Sequence, residues 1–379
     1  MSGVEVSVTN EGTNTTIRAT SDESGSYWTT RSRPRLIPAS GRDRDDLPDL
    51  HWRRNADTIT STQRSARQIQ FALRLAFWRG IMNIRSIEPF RVGGTTILKV
   101  TTDDGLVGWG ESIEPYNEAF LKTFIGQPAH RYAVYRHAGL NMALLDIVGK
   151  AAKAPAYQVL GGPTRNKIRV MTRWSDQALK AGYRAFVTPP PLSPREGLDF
   201  VVDGGGSLSP GQASSLAATL ERQHPLWLDE PCALMNLGAL RKISDETVTP
   251  IGWGRSITEL SQVQDLLREQ MIDVVRLNIA RHGISAIRKA AALAETYYIA
   301  VAPFHRGGPI ATAAAFQLAA SIPNFYIQEI PWAEGDNAKI RSELVGADIE
   351  KASNGFAALP AGPGLGINVN EAALRRLAA

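Results

Sequence analysis

Apolar and polar residues alternate through Val4–Thr30, in the runs VEVSVTN and TTIRATS and on into DESGSYW. A period of two, with turn residues between the runs, predicts two or three short β-strands. So few strands bury too little apolar surface to be stable alone. The pattern dissolves over Ser32–Gly80, where Gln68–Trp78 (QIQFALRLAFW) is a short amphipathic stretch, too short to anchor a membrane by itself. From Asn83 the pattern sharpens. IRSIEPFRV and TTILKVTTDDGLVGWGES read as strands joined by an Asp-Asp-Gly turn. Leu140–Ala152 (LNMALLDIVGKAA) then spaces its apolar residues for a helix, and the segment ends at the pair Gly161-Gly162.

Short apolar runs alternate with helical patterns after that, which argues for βα units and a parallel sheet. The strand candidates are Ile168–Thr172, Arg184–Thr188, Phe200–Asp203, Leu226–Glu230, Thr249–Trp253, Ile272–Asn278, Tyr298–Pro303 and Phe325–Glu329. Eight such runs suit a closed (β/α)8 barrel. Helices are predicted over Pro210–Arg222, Ile257–Arg268, Ile284–Thr296 and Pro309–Ala320. The early half is thin. Only Ser175–Ala181 separates the first two strands, and TPPPLSPREGLD follows the second, where prolines exclude a helix interior. One early barrel helix is therefore missing.

Composition changes this picture little. The chain has 379 residues, 43% hydrophobic and 21% charged, as in an ordinary globular protein with a sizeable core. No run approaches the roughly 18 apolar residues of a membrane span, and the start, MSGVEVSVTNEGTN, lacks the basic and apolar regions of a secretory signal. The single cysteine, Cys232, excludes an intramolecular disulfide and any Cys-cluster metal site. The expected location is cytoplasmic, with no membrane partner. The net charge of +5 comes mostly from the arginine-dense stretch between Arg31 and Gly80. No nucleic-acid motif accompanies it, so it reads as a solvated linker rather than a basic arm.

The phrases TTILKVTTDDGLVGWGES, LNMALLDIVGKAAKAPAYQVLGG, VVDGGG, WLDEP, GGPIATAAAFQLAASIPNFYIQE and LPAGPGLGINVN, in this order, resemble the mandelate racemase/muconate lactonizing group of the enolase superfamily. The N-terminal run V-x-V-T-N with its later G-x-Y resembles part of a carboxypeptidase regulatory-like β-sandwich repeat. The larger resemblance implies an α/β fold: a modified barrel at 166–350, an abridged α+β capping domain at 83–165, and a segment at 351–379 returning to the cap. Residues 1–30 are then a strand fragment and 31–80 the linker. It also implies Mg²⁺-assisted removal of the proton α to a carboxylate, on a small-molecule carboxylate substrate, by an enzyme that assembles with copies of itself.

The same resemblance assigns the site. Asp203 and Glu230, ending the third and fourth strands, match metal-ligand positions, and hard oxygens suit Mg²⁺. Asp229 is expected to face away from the site by strand alternation. The family's third acid is replaced by Arg255, in Pro250-Ile251-Gly252-Trp253-Gly254-Arg255. Arginine stays protonated and cannot ligate a cation. Either Mg²⁺ is held by two carboxylates with substrate and water, in a weakened site, or Arg255 supplies part of the metal's charge by pairing with Glu230 or clamping the substrate. The lysine pair of the second strand falls on Val187 and Pro189. His305, in APFHRGGP, is the expected base, oriented by Asn278 where the family has an acid, and Glu329 is expected to bracket the enolate. Dehydration of an acid sugar is favoured, because one histidine can take the α-proton and protonate the leaving hydroxyl. The alternative is a catalytically impaired relic, or a protein that binds an acid without turning it over.

Overall fold

The computed structural model describes residues 82–378, apart from 115, 135–136 and 234–236, and the backbone of three strands nearer the start. Those strands, β1 (Glu5–Asn10), β2 (Thr15–Ser21) and β3 (Tyr27–Thr29), form an antiparallel meander in that order. They belong to a unit of their own, Met1–Trp78. The arginine-dense stretch and the amphipathic Gln68–Trp78 lie outside the described residues.

In the second unit, β4 (Ile84–Val92), β5 (Thr95–Thr102) and β6 (Val107–Ser112) form a second antiparallel meander. The helix Ala138–Ala151 lies on this sheet and is buried over nearly its whole length. Two glycines of β6 allow the approach: a Cβ on Gly108 would stand 2.1 Å from the Ala143 carbonyl oxygen, and one on Gly110 would stand 1.9 Å from that of Gly139. Asp146 on the helix is fully buried and ties three pieces of chain together. Its carboxylate accepts from the Trp109 N–H at 3.0 Å, the Leu365 N–H at 2.8 Å and Lys150 Nζ at 2.8 Å. The last helix, Glu371–Ala378, reaches the same sheet through Glu371 and Lys99, 2.7 Å apart.

The barrel strands are β7 (Lys167–Arg173), β8 (Ala185–Thr188), β9 (Asp199–Asp203), β10 (Trp227–Asp229), β11 (Ile251–Trp253), β12 (Val274–Val275), β13 (Ala300–Val301) and β14 (Gln328–Glu329). All eight predicted runs become strands, each neighbour parallel to the next, and β14 pairs back on β7. The bridges Val301↔Phe325 and Phe304↔Glu329 close the ring. Helices Pro210–Leu220, Leu260–Arg268, Ile279–Glu295 and Pro309–Ala319 fill the expected places. The third of these starts before the predicted Ile284, because the chain turns helical on both sides of Gly283, whose φ is 74°. Leu237–Glu246 and Gly335–Val345 are helices that the pattern did not announce. A hairpin, β15 (Ala352–Ser353) and β16 (Phe356–Ala358), adds antiparallel to β7, so this part of the C-terminal segment joins the barrel rather than the cap.

Between β7 and β8 there is only the one-turn helix Asp176–Lys180, and between β8 and β9 there is none. The missing helix would have covered the outer faces of β8 and β9. There, Trp174 packs edge-on against Phe186 at 4.8 Å, and Phe200 lies 6.0 Å from the Trp174 ring. The proline-rich strap supplies Leu192, which is buried, and Arg195, whose guanidinium lies 4.3 Å over the Trp174 ring. An aromatic cluster under a strap thus replaces a helix.

The barrel interior holds Met171, Ala185, Val187, Val201, Trp227, Val274, Ala302 and Ile327, one or two from each of several strands, in one apolar cluster. This cluster fixes which residues reach the mouth.

Candidate active site at the barrel mouth

Side chains alternate along a strand, so a residue two beyond an interior position shares its face. Counting two on from the outermost of these residues on each strand gives Arg173, Pro189, Asp203, Asp229, Arg276, Phe304 and Glu329, all at the C-terminal strand ends where barrel sites are built. The expected residues Asp203 and Glu329 are among them. Glu230 and His305 fall on the odd positions.

Arg255 follows β11 and enters this ring. Its Nη1 donates to Asp203 Oδ2 at 2.9 Å and its Nη2 to Asp203 Oδ1, a bidentate pair. Its Nε lies 3.1 Å from Asp229 Oδ2 and 3.7 Å from Glu230 Oε2, off the line of a hydrogen bond in both cases. Arg173 adds a longer contact to Asp203 Oδ2 at 3.4 Å. Burial pushes the Asp203 carboxyl up. The bonds and charge of Arg255, with the Gly205 N–H and Arg173, outweigh it and leave the group below its ordinary value.

Asp229 is the correction on the fourth strand. It sits opposite Asp203 in the ladder and points inward with Trp227, whose Nε1 donates to Asp229 Oδ1 at 3.1 Å. Arg276, fully buried, donates from Nε to Asp229 Oδ1 at 3.2 Å and from Nη2 to Glu329 Oε2. Burial raises the Asp229 carboxyl, against the lowering pull of Arg276 and Arg255. Glu230 lies just past the strand with φ of 45°. Its carboxylate turns to the next loop and accepts from the Ser256 N–H at 2.7 Å, Ser256 Oγ at 2.9 Å and the Gly254 N–H at 3.4 Å. The sequence phrase showed two adjacent acids; only the register with Trp227 decides which faces in.

His305 is the second correction. It follows Phe304, and Phe304 shares the face of Ala302, so the imidazole is turned out of the mouth. Phe304 itself lies 5.5 Å from the Arg276 guanidinium. The His305 ring is buried, with Nε2 3.2 Å from Thr312 Oγ1 and Nδ1 without a hydrogen-bond partner among the described residues. Burial, with the charge of Arg341 adding to it, lowers its pKa to about 3. Thr312 donates in turn to Glu350, which is paired with Arg341. Arg341 and Glu350 line a cleft of about 270 Å³ with Tyr183 and Trp332, and none of the mouth residues lines it. Asn278 does not orient His305. Its Oδ1 accepts from the Ala280 N–H at 2.9 Å and caps the helix Ile279–Glu295. A capping residue at a strand-to-helix turn is legible in the sequence; that the cap takes the side chain away from the histidine is not.

The cap reaches the mouth through one buried acid that the sequence reading passed over. Glu111 on β6 accepts from the Gly308 N–H and from the Ala311 N–H at 3.1 Å, at the start of the helix Pro309–Ala319. It holds the loop that carries Arg306.

With this geometry established, residues 193–373 match the family model described as Enolase C-terminal domain-like. The chain is 27% identical over 356 residues to a D-galactonate dehydratase of Variovorax paradoxus (strain S110), covering 76% of this chain and 93% of that one. It is 26% identical over 350 residues to a D-xylonate dehydratase of Haloferax volcanii, covering 72% and 83%. Among solved structures, a mandelate racemase/muconate lactonizing enzyme-like protein from Roseovarius sp. TM1035 aligns with a TM-score of 0.67 at 25% identity, over 78% of this chain and 95% of that one. An enolase from Agrobacterium radiobacter, bound to sodium and L-malate, aligns with a TM-score of 0.70 at 23% identity, over 79% and 95%. The fold is that of the enolase superfamily: a modified (β/α)8 barrel with an α+β cap, lacking one early barrel helix. The family model and the relatives support that superfamily for the barrel.

Enolase-superfamily sites generally use Mg²⁺. The mouth does not fit that ion. Mg²⁺ needs oxygen ligands converging at about 2.0–2.1 Å in an octahedral arrangement. Here both oxygens of Asp203 are bonded to Arg255, and those of Asp229 to Arg276 and Trp227 with Arg255 beside them. Among the described residues no group of three or more His, Cys, Asp or Glu side chains could hold a metal.

Proposed function

We propose that the barrel mouth takes a small polyhydroxy acid and carries out the reaction class of its dehydratase relatives. A proton leaves the carbon α to the carboxylate, the β-hydroxyl departs as water, and the enol ketonises to a 2-keto-3-deoxy acid. The observation that carries this is the ring Asp203, Asp229, Arg276 and Glu329 on strand ends of a barrel shared with acid-sugar dehydratases. Arg255 and Arg276 are each already paired with acids of the ring. The substrate carboxylate therefore falls to the rim guanidiniums: Arg173, whose side chain is 50% exposed, and the exposed Arg306. In this reading Glu329, which accepts from Arg276 through one oxygen, moves the proton.

A second reading has a specific observation behind it. Val187 faces the interior, Pro189 follows on the same face, and Phe304 occupies the seventh-strand position, so among these strand-end residues there is neither lysine nor imidazole. A site of this kind binds an acid with impaired or no turnover. One experiment separates the two. Purified chain is incubated in D₂O with D-galactonate, D-xylonate, D-mannonate and D-gluconate, followed by NMR, with binding measured in parallel by calorimetry. Deuterium at the α-carbon or a 2-keto-3-deoxy product, lost in Glu329→Gln, supports the lyase. Binding with no exchange supports the second reading, and neither binding nor exchange removes both.

A further inference from the structure

The mouth that does not fit a divalent cation already contains a cation. We infer that the Arg255 guanidinium takes a metal ion's place in this ring, so the site neutralises its acids without a metal. The inference rests on reading the mouth as the functional site, but its test does not need a substrate.

Three observations carry it. First, Arg255 bridges the acids: two nitrogens on Asp203, a third 3.1 Å from Asp229, and Glu230 at 3.7 Å. These side chains are nearly buried, at 11% for Arg255, 12% for Asp203, 0% for Asp229 and 7% for Glu230. A metal would have to expel a guanidinium that never deprotonates in proteins, and the expelled charge would need another partner.

Second, the loop that presents Arg255 is fixed on both sides. Glu230 accepts from the backbone of Gly254 before it and of Ser256 after it. Gly254 has φ of 141°, and a Cβ there would stand 2.7 Å from the Arg276 carbonyl oxygen. The backbone is therefore built to deliver residue 255 into the ring, and Glu230 serves that delivery. A side chain that had merely drifted into an empty site would not need such a mount.

Third, each of these acids already has an arginine within 4 Å. Asp203, Asp229, Glu230 and Glu329 face Arg255, Arg276 and the rim arginines Arg173 and Arg306.

The test uses metal alone on the full chain. Mn²⁺ is titrated and followed by electron paramagnetic resonance. Wild type is expected to show no stoichiometric binding below millimolar Mn²⁺. Arg255→Glu places a third carboxylate with Asp203 and Asp229, and is expected to bind Mn²⁺ at least 100-fold more tightly than wild type. That gain should vanish in Asp203→Asn/Arg255→Glu. Tight Mn²⁺ binding by wild type that is lost in Asp203→Asn would overturn the inference, and this arm holds even if Arg255→Glu does not fold. A folded Arg255→Glu that gains no Mn²⁺ binding would overturn it as well. Failure of every acid sugar to bind would instead count against the proposed function and leave the Mn²⁺ result standing.

Discussion

Arg255 holds both oxygens of Asp203 in a bidentate pair across the barrel mouth, from the strand end two places along the ring. The two side chains are 11% and 12% exposed, so the pair is largely shielded from water. Breaking it leaves a buried charge without its partner, which costs several times more than losing a surface ion pair.

Asp229→Asn tests the centre of the same network. The substitution removes the charge that faces Arg276 Nε at 3.2 Å and Arg255 Nε at 3.1 Å, Asp229 and Arg276 being fully buried and Arg255 11% exposed. Denaturant unfolding should show a loss of about 3–5 kcal/mol. Asp199→Asn, which breaks a half-exposed pair with Arg169, should cost about 1 kcal/mol or less. Equal costs at the two sites would contradict the assignment of Asp229 to the interior.

His305 predicts an acid limb of stability. Its pKa falls from 6.5 to about 3 on folding, because burial disfavours the imidazolium. The folded state thus binds fewer protons than the unfolded state between those values. The stabilisation is complete above pH 6.5 and is lost as pH falls toward 3, by an amount on the order of 5 kcal/mol. His305→Gln should flatten the stability profile in that window. The comparison is of slopes between wild type and variant, because His137, lowered to about 4 by burial, titrates in both.

Leu192 is the plug of the strap that replaces the missing barrel helix. It is buried at 6% exposure in the segment between β8 and β9. Leu192→Ala should cost about 2–4 kcal/mol by leaving a cavity, and should quicken proteolysis within the segment between β8 and β9. A cost near zero would mean the strap does not cover the barrel wall.

Glu111 couples cap to barrel. Glu111→Gln keeps the shape but weakens the acceptor at the Gly308 and Ala311 N–H groups, which are at a helix start. It should destabilise by about 1–3 kcal/mol. Because Arg306 lies on the loop so held, it should also raise KM for any acid turned over or bound, more than it lowers kcat.

Most of the architecture is legible in the sequence, because strand and helix periodicities depend on neighbours two to four residues apart. Eight apolar runs gave eight barrel strands, and TPPPLSPREGLD marked the lost helix through its prolines. What replaced that helix was not legible, since Trp174, Phe186 and Phe200 come together only when the sheet curves. Asp203, Glu329 and Arg255 were found as strand-end residues by the order of the motifs. Asp229 faces inward and His305 outward, the reverse of what the motifs alone imply. Each belongs to a pair of adjacent residues, Asp229-Glu230 and Phe304-His305, in which a shift of one residue reverses the side chain. The sequence by itself determined a barrel with acids and one arginine, Arg255, at its mouth. Which member of each pair faces inward was decided by the tertiary structure, because the interior packing of Trp227 and Ala302 sets the register from which every mouth residue is counted.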